Sequence, residues 1–521
     1  MTNTIPHLQK KDGVTQLIVD GKPMILLAGE LHNSSGSNVA YFENALERVV
    51  AANCNAVIAP VSWELLEPVE GSYDFLLIDG MLSAARRRGL RLVLIWFGTW
   101  KNAMTTYAPA WVKKDVVRFP RAENVPGKAS HTISPLAYEA CRCDARAFAA
   151  LMRHIKSVDE NERTVVMMQV ENEAGFMGSP RDYSPLAEKA FATQVPESLM
   201  NYLQDNIAVL MPELKANWAK SGNRMSGTWH EIFSADAPEV FMAWHTAQFI
   251  NEIAKAGIAE YPLPMFANAW LVQDAGQQPG SYPCGGPVAK MMDIWRAAAP
   301  QIDALAPDIY LPDFQAVCAE YSQNGNPLII PEAQKPCAYA NVFSAVANYN
   351  AICFAPFGID SIEHPEVLAE SYSALTDMMP LVAQYQGTGR MIGFVQDNVT
   401  RVQSPNGAWV QEITKPIQVE CGGYHVTINF QSGHSGLDSI GRGLIIAVSD
   451  TEYYVAAAGC TISWHPKADD RRTAEFISVD EGCFVNGKWQ HYRRLNGDEA
   501  YGEFQRFDNK LSMRKVVLHS F

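Results

Sequence analysis

The stretch that decides the fold is Thr164-Val165-Val166-Met167-Met168-Gln169-Val170-Glu171-Asn172-Glu173. Its first seven residues are almost all apolar or β-branched, a pattern that predicts a strand buried on both faces of a parallel sheet. The polarity changes abruptly at Glu171, and Gly175 follows to let the chain turn away. Parallel α/β barrels carry their chemistry on polar residues at the carboxyl ends of such strands. The stretch therefore predicts a barrel strand with functional groups at its tip.

Alternation along this strand predicts which of its side chains face the barrel interior. Residues two apart lie on one face, so Gln169, Glu171 and Glu173 should all point inward. A polar inner layer is costly unless it binds something polar. Asn172 lies between two of these residues, and it can face inward as well only if the strand bends or bulges there. We therefore expect an irregular strand end below a polar binding site.

The same pattern, a buried apolar run followed by polar residues, recurs along the chain. The runs cover residues 24–28, 56–61, 92–97, 164–170, 265–267, 304–310, 328–330 and 351–355. Eight such runs separated by helical stretches predict an α/β fold, a (β/α)8 TIM barrel. The alternative is a doubly wound open sheet, but the Gly-x-Gly-x-x-Gly loop of that fold is absent. Asp20-Gly21 between the apolar runs 16–19 and 24–28 predicts an N-terminal hairpin.

The residue pattern of the sequence changes near Gly387. Strand-like runs such as residues 424–430 and 444–448 recur between Gly, Asn and Asp turns, and no convincing helical pattern follows residues 367–384. We predict a catalytic barrel with its N-terminal hairpin in residues 1–386. Residues 387–521 should form a separate C-terminal all-β, sandwich-like domain.

Composition excludes several classes of partner. The net charge of −14 argues against binding to nucleic acid, whose phosphates would be repelled. No apolar run approaches the roughly 20 residues needed to span a membrane. The charge favours a neutral or weakly charged substrate. The sequence leaves homo-oligomer formation open.

Cysteine spacing and the first residues bear on metals and on the cell compartment. The 10 cysteines are scattered, and only Cys141 and Cys143 lie close together, without the further ligands of a zinc site. We expect reduced, structural cysteines and neither a metal nor a cofactor. The first residues lack the basic start and apolar core of a secretory signal. The protein is expected in the cytoplasm if the chain is complete, and in the periplasm or secreted if a signal was removed.

Two carboxylates at predicted strand tips point to a chemistry. Glu173 follows the fourth strand and Glu332 the seventh, which places them on opposite walls of one barrel mouth. Hydrolysis of a glycosidic bond needs such a pair, a proton donor and a second carboxylate. Sugars also need aromatic faces and polar partners for their hydroxyls. Candidates near the strand ends are Trp63, Trp96, Trp100, Trp270 and Tyr310 as aromatic contacts, and Glu30, His32, Asn33, Asn172 and Asn268 as hydroxyl contacts.

Two motifs resemble those of a known family. Residues 169–173, Gln-Val-Glu-Asn-Glu, resemble the acid/base motif of the glycoside hydrolase family 35 β-galactosidases. Trp63-x-x-x-Glu67-Pro68-x-x-Gly71-x-Tyr73-Asp74-Phe75 resembles the second-strand motif of that family and is also similar to family 42 of the same clan. Departures are Glu64 and Leu66, where family 35 carries Asn and His, and the segments 29–33 and 330–334. The chain looks most like a bacterial branch of family 35 with its own C-terminal β-domain.

The resemblance implies roles for three residues. Asn172 would bind the sugar 2-hydroxyl, Glu173 would be the acid/base and Glu332 the nucleophile. The expected function is a retaining exo-β-glycosidase, a β-galactosidase that removes terminal β-D-galactosyl residues from oligo- or polysaccharides. One alternative is the same mechanism on a xyloside, an arabinoside or a fucoside. Another is a non-catalytic carbohydrate-binding protein, whose signature would be the loss of one carboxylate.

Overall fold

The N-terminal residues form a small antiparallel sheet of β1 (His7–Lys11), β2 (Val14–Val19) and β3 (Lys22–Met24). The computed structural model describes residues 5–274, 276–396, 401–403, 409–411, 415–431, 440–467, 471–485, 487–500 and 502–521. Asp20-Gly21 has positive φ at both residues, the geometry of a tight hairpin turn, so the predicted hairpin is confirmed. Its second strand ends at Met24, because the chain from Leu26 pairs in parallel with barrel strands instead.

Eight parallel strands close a barrel, which confirms the predicted (β/α)8 architecture. The strands of this region are β4 (Leu26–Glu30), β5 (Ala56–Ser62), β6 (Arg91–Lys101), β7 (Arg121–Val125), β8 (Lys128–Ile133), β9 (Val165–Asn172), β10 (Met265–Trp270), β11 (Ala304–Ile309), β12 (Ile329–Ala333) and β13 (Cys353–Pro356). β7 and β8 form a hairpin outside the barrel, and the other eight pair in chain order until β13 closes on β4. Apolar side chains such as Ile58, Val93 and Phe266 fill the interior.

Helices surround the barrel and form one large insertion after β9. They are α1 (Val39–Ala51), α2 (Trp63–Leu66), α3 (Leu76–Arg87), α4 (Ala110–Lys114), α5 (Tyr138–Asp159), α6 (Pro185–Phe191), α7 (Glu197–Asp205), α8 (Pro212–Lys220), α9 (Trp229–Phe233), α10 (Ala237–Glu260), α11 (Met292–Ala298), α12 (Phe314–Tyr321), α13 (Lys335–Asn348) and α14 (Pro365–Tyr385). None of the helices in the described part of the chain has the length and apolarity that crossing a bilayer requires.

The C-terminal region is built from strands, as predicted. They are β14 (Met391–Val395), β15 (Arg401–Gln403), β16 (Trp409–Gln411), β17 (Ile417–Cys421), β18 (Tyr424–Phe430), β19 (Arg442–Ala447), β20 (Glu452–Ala458), β21 (Cys460–Pro466), β22 (Ala474–Val485), β23 (Lys488–Leu495), β24 (Phe504–Phe507) and β25 (Ser512–Ser520). A six-stranded sheet (β14-β19-β20-β25-β22-β23) and a four-stranded sheet (β17-β18-β21-β24) enclose one apolar core that includes Ile445 and Trp464. Two sheets sharing a core in this way form a sandwich.

The six-stranded sheet packs against the barrel helices with its other face. Leu444 and Ile446 of β19 belong to the same buried cluster as Val342 of α13 and Leu375 of α14. The fully buried Arg442 pairs with Glu370 of α14 at 2.6 Å. The predicted boundary after residue 386 lies between α14 and β14, and the two parts of the chain share a continuous hydrophobic core.

Candidate active site

Strand β9 ends irregularly, as its sequence predicted. Glu171 and Glu173 both have positive φ, 63° and 44°, and the pairing of β9 with β6 shifts register just before the tip. Asn172 points inward and donates from Nδ2 to Glu332 Oε1 at 3.3 Å. Glu171 does not point inward, which corrects the expectation from alternation. Its left-handed backbone turns the carboxyl group toward the backbone N–H groups of Thr99 and Trp100.

A cavity of about 530 Å³ opens at the carboxyl ends of the barrel strands. Its lining residues follow strands from several parts of the barrel, the arrangement in which α/β barrels bind their ligands. They are Asn33, Lys101, Asn102, Glu173, Trp270, Leu271, Gln273, Asp308, Tyr310, Glu332 and Phe357. None of the described residues of the β-sandwich lines this cavity.

Glu173 and Glu332 face each other in this cavity. One carboxylate oxygen from each of Glu173, Glu332 and Asp308 lies within 4.8 Å of the other two. The Glu173 carboxylate accepts a hydrogen bond from Asn102 Nδ2, and its backbone N–H donates to Asn268 Oδ1 at 2.9 Å. Both Glu332 oxygens accept hydrogen bonds, Oε2 from the Tyr310 hydroxyl at 2.7 Å and Oε1 from Asn172. Two donors on one carboxylate suit its ionised form.

The electrostatic environment favours the protonated form of Glu173. Burial is the largest influence and the charge of Glu332 the second, and together they raise the pKa of Glu173 to about 7, although Lys101 acts in the opposite direction. A sizeable fraction of Glu173 is therefore protonated at neutral pH. The cavity thus holds a carboxyl group that can donate a proton opposite a carboxylate that accepts two hydrogen bonds.

Asp308, Lys101 and Asn102 are site residues that sequence reasoning missed. Asp308 is fully buried on β11, and its Oδ2 accepts from Asn268 Nδ2 at 2.7 Å. Burial and then the charge of Glu332 raise the pKa of Asp308 well above its usual range. The available signal was an Asp inside the apolar run 304–310, since a buried parallel strand has no place for an idle carboxylate. Lys101 and Asn102 follow an apolar strand just as Glu173 does.

Several predicted sugar contacts lie at or beneath the cavity. Asn33, Trp270 and Tyr310 line it. Glu30 is buried, and neither of its oxygens has a hydrogen-bond partner among the described residues. Burial and then the charge of Glu332 raise the pKa of its carboxyl group well above the ordinary value. Contacts of these residues and of Asn172 with a sugar remain predictions.

His32 and Asn268 occupy more specialised positions. His32 lies at the rim, with Nδ1 2.7 Å from Asp360 and its ring edge-on to Phe357, which lines the cavity. Asn268 is buried, and its side-chain amide accepts a hydrogen bond from the Glu173 backbone N–H and donates one to Asp308. Its geometry therefore fits the holding of these two carboxyl groups, and a sugar contact by its amide is not supported.

Three of the predicted aromatic contacts are absent from the cavity. Trp63 is fully buried and donates from Nε1 to Glu67 at 2.7 Å, so the second-strand motif ties its own loop together. Trp100 packs on Phe249 of α10 and donates to a backbone carbonyl, and Trp96 donates to Asp144 of α5. All three side chains contact the surrounding helices, α4, α10 and α5 respectively for Trp63, Trp100 and Trp96. We therefore correct the assignment of Trp63, Trp96 and Trp100 as sugar contacts.

The same three carboxyl groups are the one set of His, Cys, Asp or Glu side chains in the described part of the chain that lies close enough together to hold a metal ion. The neighbouring amides and the Tyr310 hydroxyl already supply hydrogen bonds to them. All 10 cysteines are free, as expected, and 8 of them are buried. Independence from metals and cofactors remains a prediction.

Fold and site together define a class: an α/β barrel whose mouth holds an opposed pair of glutamates, one protonated near neutral pH. Comparisons with known proteins agree with this class. Residues 36–237 match the model of glycoside hydrolase family 42, described as beta-galactosidase, and residues 368–506 match a domain of unknown function. The family 42 match includes Glu173 and ends before Glu332. The matching segment supports a family 42 domain, whereas family 35 of the same clan is not supported specifically.

Individual proteins share the fold or a short segment with this chain. A β-galactosidase from Xanthomonas manihotis is 34% identical over 83 residues, which are 15% of this chain and 14% of that protein. A catalytic mutant of Gan42B, a family 42 β-galactosidase from G. stearothermophilus, superposes with a TM-score of 0.50 at 11% identity over 95% of this chain and 98% of that one. A β-galactosidase from Bacillus circulans has a TM-score of 0.45 at 16% identity, and the match covers 70% of this chain and 57% of that structure.

Proposed function

We propose that the protein is a retaining, exo-acting β-glycosidase and that its substrate is a terminal β-D-galactosyl residue of an oligo- or polysaccharide. The observation that carries the proposal is the spacing of Glu173 and Glu332, whose carboxylate oxygens lie within 4.8 Å. Retaining glycosidases hold their carboxyl groups about 5–5.5 Å apart, whereas inverting enzymes need about 6.5–9.5 Å to admit a water. The spacing here supports direct attack on the sugar.

The first half of the reaction forms a glycosyl-enzyme. The Glu332 carboxylate attacks the anomeric carbon, and the bond from that carbon to the leaving oxygen breaks as the oxygen takes the proton of Glu173. Asn172 and Tyr310 hold Glu332 in place for the attack. The amide oxygen of Asn172, Oδ1, is buried and has no hydrogen-bond partner among the described residues. Its contact with the sugar 2-hydroxyl would strengthen as positive charge develops on the ring.

The second half reverses the role of Glu173. Once Glu332 is esterified, its charge is gone, and one of the two influences that raise the pKa of Glu173 disappears with it. Glu173 then becomes a stronger acid that stays ionised and can accept a proton from water. The water attacks the anomeric carbon and releases Glu332. The same pair of residues thus accounts for proton donation in one step and proton acceptance in the next.

The galactosyl preference and the family assignment rest on sequence similarity to known β-galactosidase families. The segment that carries Glu173 matches a model described as beta-galactosidase, and this supports galactose as the sugar. Membership of family 35 rests on the two motifs quoted from the sequence. We propose a carbohydrate as the partner, with no role for nucleic acid or a membrane.

Proton NMR of the first sugar released from a β-galactoside tests the proposal. The expected first product is the β-anomer, and a panel of nitrophenyl glycosides is expected to give galactoside as the best substrate. Glu332→Gln serves as the matched inactive control, because an amide cannot act as the nucleophile. An initial α-anomer would remove the nucleophile role of Glu332, and a panel without turnover would refute the glycosidase itself.

A further inference from the structure

The tip of β6 contains more residues than the tip of β9 opposite it. Trp96 pairs with Val170 and Lys101 pairs with Asn172, so residues 97–100 face a single residue, Glu171. Backbone N–H groups in such a bulge lose their strand partners, and a buried N–H without an acceptor is destabilising. The Glu171 carboxyl replaces the missing strand. Its Oε1 accepts from Thr99 N at 2.9 Å and its Oε2 from Trp100 N at 2.6 Å.

A second buried carboxyl group, Asp144 of α5, completes this cluster. Its Oδ1 accepts from Trp96 Nε1 at 2.7 Å, and its Oδ2 accepts from the Thr99 hydroxyl at 2.6 Å and from Thr99 N at 2.8 Å. Residue 98 is a glycine, and a Cβ there would lie 2.6 Å from oxygens of both Asp144 and Glu171. The bulge therefore has room for the two carboxyl groups only because its centre lacks a side chain.

The pair is held together by one proton. Two carboxylates in contact in a water-free interior cannot both be ionised. Asp144 receives three hydrogen bonds, which favour its ionised form and oppose the rise that burial causes in the pKa of its carboxyl group. Burial and then the charge of Asp144 raise the pKa of Glu171 well above its usual range. Glu171 is thus the neutral member, accepting the backbone N–H groups and donating its proton to Asp144.

Residues 97–100 of β6 are followed directly by Lys101 and Asn102, which line the catalytic cavity. Asn102 N donates to the Asn172 carbonyl at 3.2 Å, and Ala103 N donates to the Glu173 carbonyl at 3.1 Å. The Asn102 side chain donates to the Glu173 carboxylate itself. Glu171 meanwhile adopts a left-handed backbone, which is strained for a residue with a side chain. The hydrogen bonds to the bulge offset this strain.

We propose that Glu171 and Asp144 form a positioning pair for Glu173: together they clamp the tips of β6 and β9 and so hold Glu173 and Asn102 in register. This rests on the proposed function, in which Glu173 is the acid/base. Neither residue of the pair reaches the cavity, so each acts through the backbone of the two strand tips. Loss of the pair should therefore impair proton donation more than nucleophilic attack.

Substrates that differ in their leaving group measure how strongly proton donation is impaired relative to nucleophilic attack. Methyl β-D-galactopyranoside needs protonation of its leaving oxygen, whereas the 2,4-dinitrophenyl galactoside needs little. For Glu171→Ala, kcat/KM should fall at least about tenfold more on the methyl glycoside than on the dinitrophenyl one. Glu171→Gln should keep the ratio within about threefold of the wild type, because its amide can donate to Asp144 and accept from Trp100.

Asp159→Ala is the matched control. Asp159 is also a buried aspartate of α5, and its Oδ2 accepts from Val165 N at 2.7 Å at the opposite end of β9. It should lower the melting temperature and leave the ratio of the two substrates unchanged. Equal losses on both substrates in Glu171→Ala, or the same change of ratio in Asp159→Ala, would overturn the proposal. If Glu171→Ala does not fold, Asp144→Asn takes its place, and an unchanged ratio in that variant would equally overturn it.

Failure of the proposed function gives a different result. A wild type without turnover on any glycoside would refute the glycosidase, but the positioning role can still be measured. Amide hydrogen exchange at Asn102 and Ala103 should be faster in Glu171→Ala, or in Asp144→Asn as its substitute, than in Asp159→Ala. Exchange at the rate of the control would overturn the positioning role by itself.

Discussion

Replacing Glu332 with glutamine should lower the pKa of Glu173. In the native site the charge of Glu332 is the second largest cause, after burial, of the rise in the pKa of Glu173 to about 7. The substitution removes that charge and keeps the shape of the side chain. The burial of Glu173 and the opposing influence of Lys101 remain in the variant. The change therefore isolates the interaction between the two catalytic groups.

The structure sets the size of the effect. Two unit charges 4.8 Å apart interact by about 3.5 kcal/mol at an effective dielectric constant of about 20, or roughly 2.5 pH units. The whole rise of the Glu173 pKa, from 4.5 to about 7, also includes the larger contribution of burial, which remains in the variant. We expect the pKa of Glu173 in Glu332→Gln to fall by about 1–2 units.

Carbon NMR of protein labelled at the glutamate carboxyl carbon measures this pKa without any turnover. Glu173→Gln identifies the resonance, because it removes that one signal. Asp303→Asn is the control, since Asp303 is a carboxylate that accepts from Met265 N at the start of β10, the end of the strand away from the cavity. If the Glu173 pKa moves by less than about 0.3 units in Glu332→Gln, the electrostatic coupling between the two glutamates is refuted. The same holds if the Glu173 pKa falls as far in Asp303→Asn as it does in Glu332→Gln. The change of Glu173 from acid to base depends on this coupling.

Three further predictions concern the same site. Tyr310→Phe removes a hydrogen bond to Glu332 and should lower kcat/KM about tenfold, since such bonds to charged groups contribute about 1.5–3 kcal/mol; an unchanged rate would contradict this holding role. The free energy of unfolding should fall as pH rises from 4.5 through about 7, because folded Glu173 binds its proton more tightly than the unfolded chain does. Glu173→Gln should therefore stabilise the fold by about 2–3 kcal/mol at pH 8 and hardly at pH 4, as measured by denaturant unfolding, and a gain equal at both pH values would argue against the raised pKa. Treatment with a chelator should leave activity unchanged, and loss of activity with recovery on adding a divalent ion would overturn metal independence.

The order of the elements could be predicted from the sequence because it depends on local patterns. Each of the eight apolar runs corresponds to a barrel strand, and the run 424–430 coincides with β18. Apolar runs predict buried strands from solvation alone, and polar residues after them predict a site at the carboxyl ends of the strands. For that reason Glu173 and Glu332 could be picked out although 158 residues separate them in the chain. The N-terminal turn at Asp20-Gly21 was equally local.

The direction of each side chain at the strand tips was decided by the tertiary structure. Alternation predicted Glu171 inward, but a left-handed backbone and the bulge of β6 turn it toward Asp144, which no spacing along the chain connects to it. Trp63 and Trp100 lie near strand ends as predicted, yet they pack against helices α4 and α10 and not into the cavity. Asp308 belongs to the site because β11 pairs with β12 in the register that places Asp308 beside Glu332. The sequence determines which strands exist because burial is a property of short segments. Which tip residues meet depends on register, bulges and packing between distant segments, and these are properties of the whole barrel.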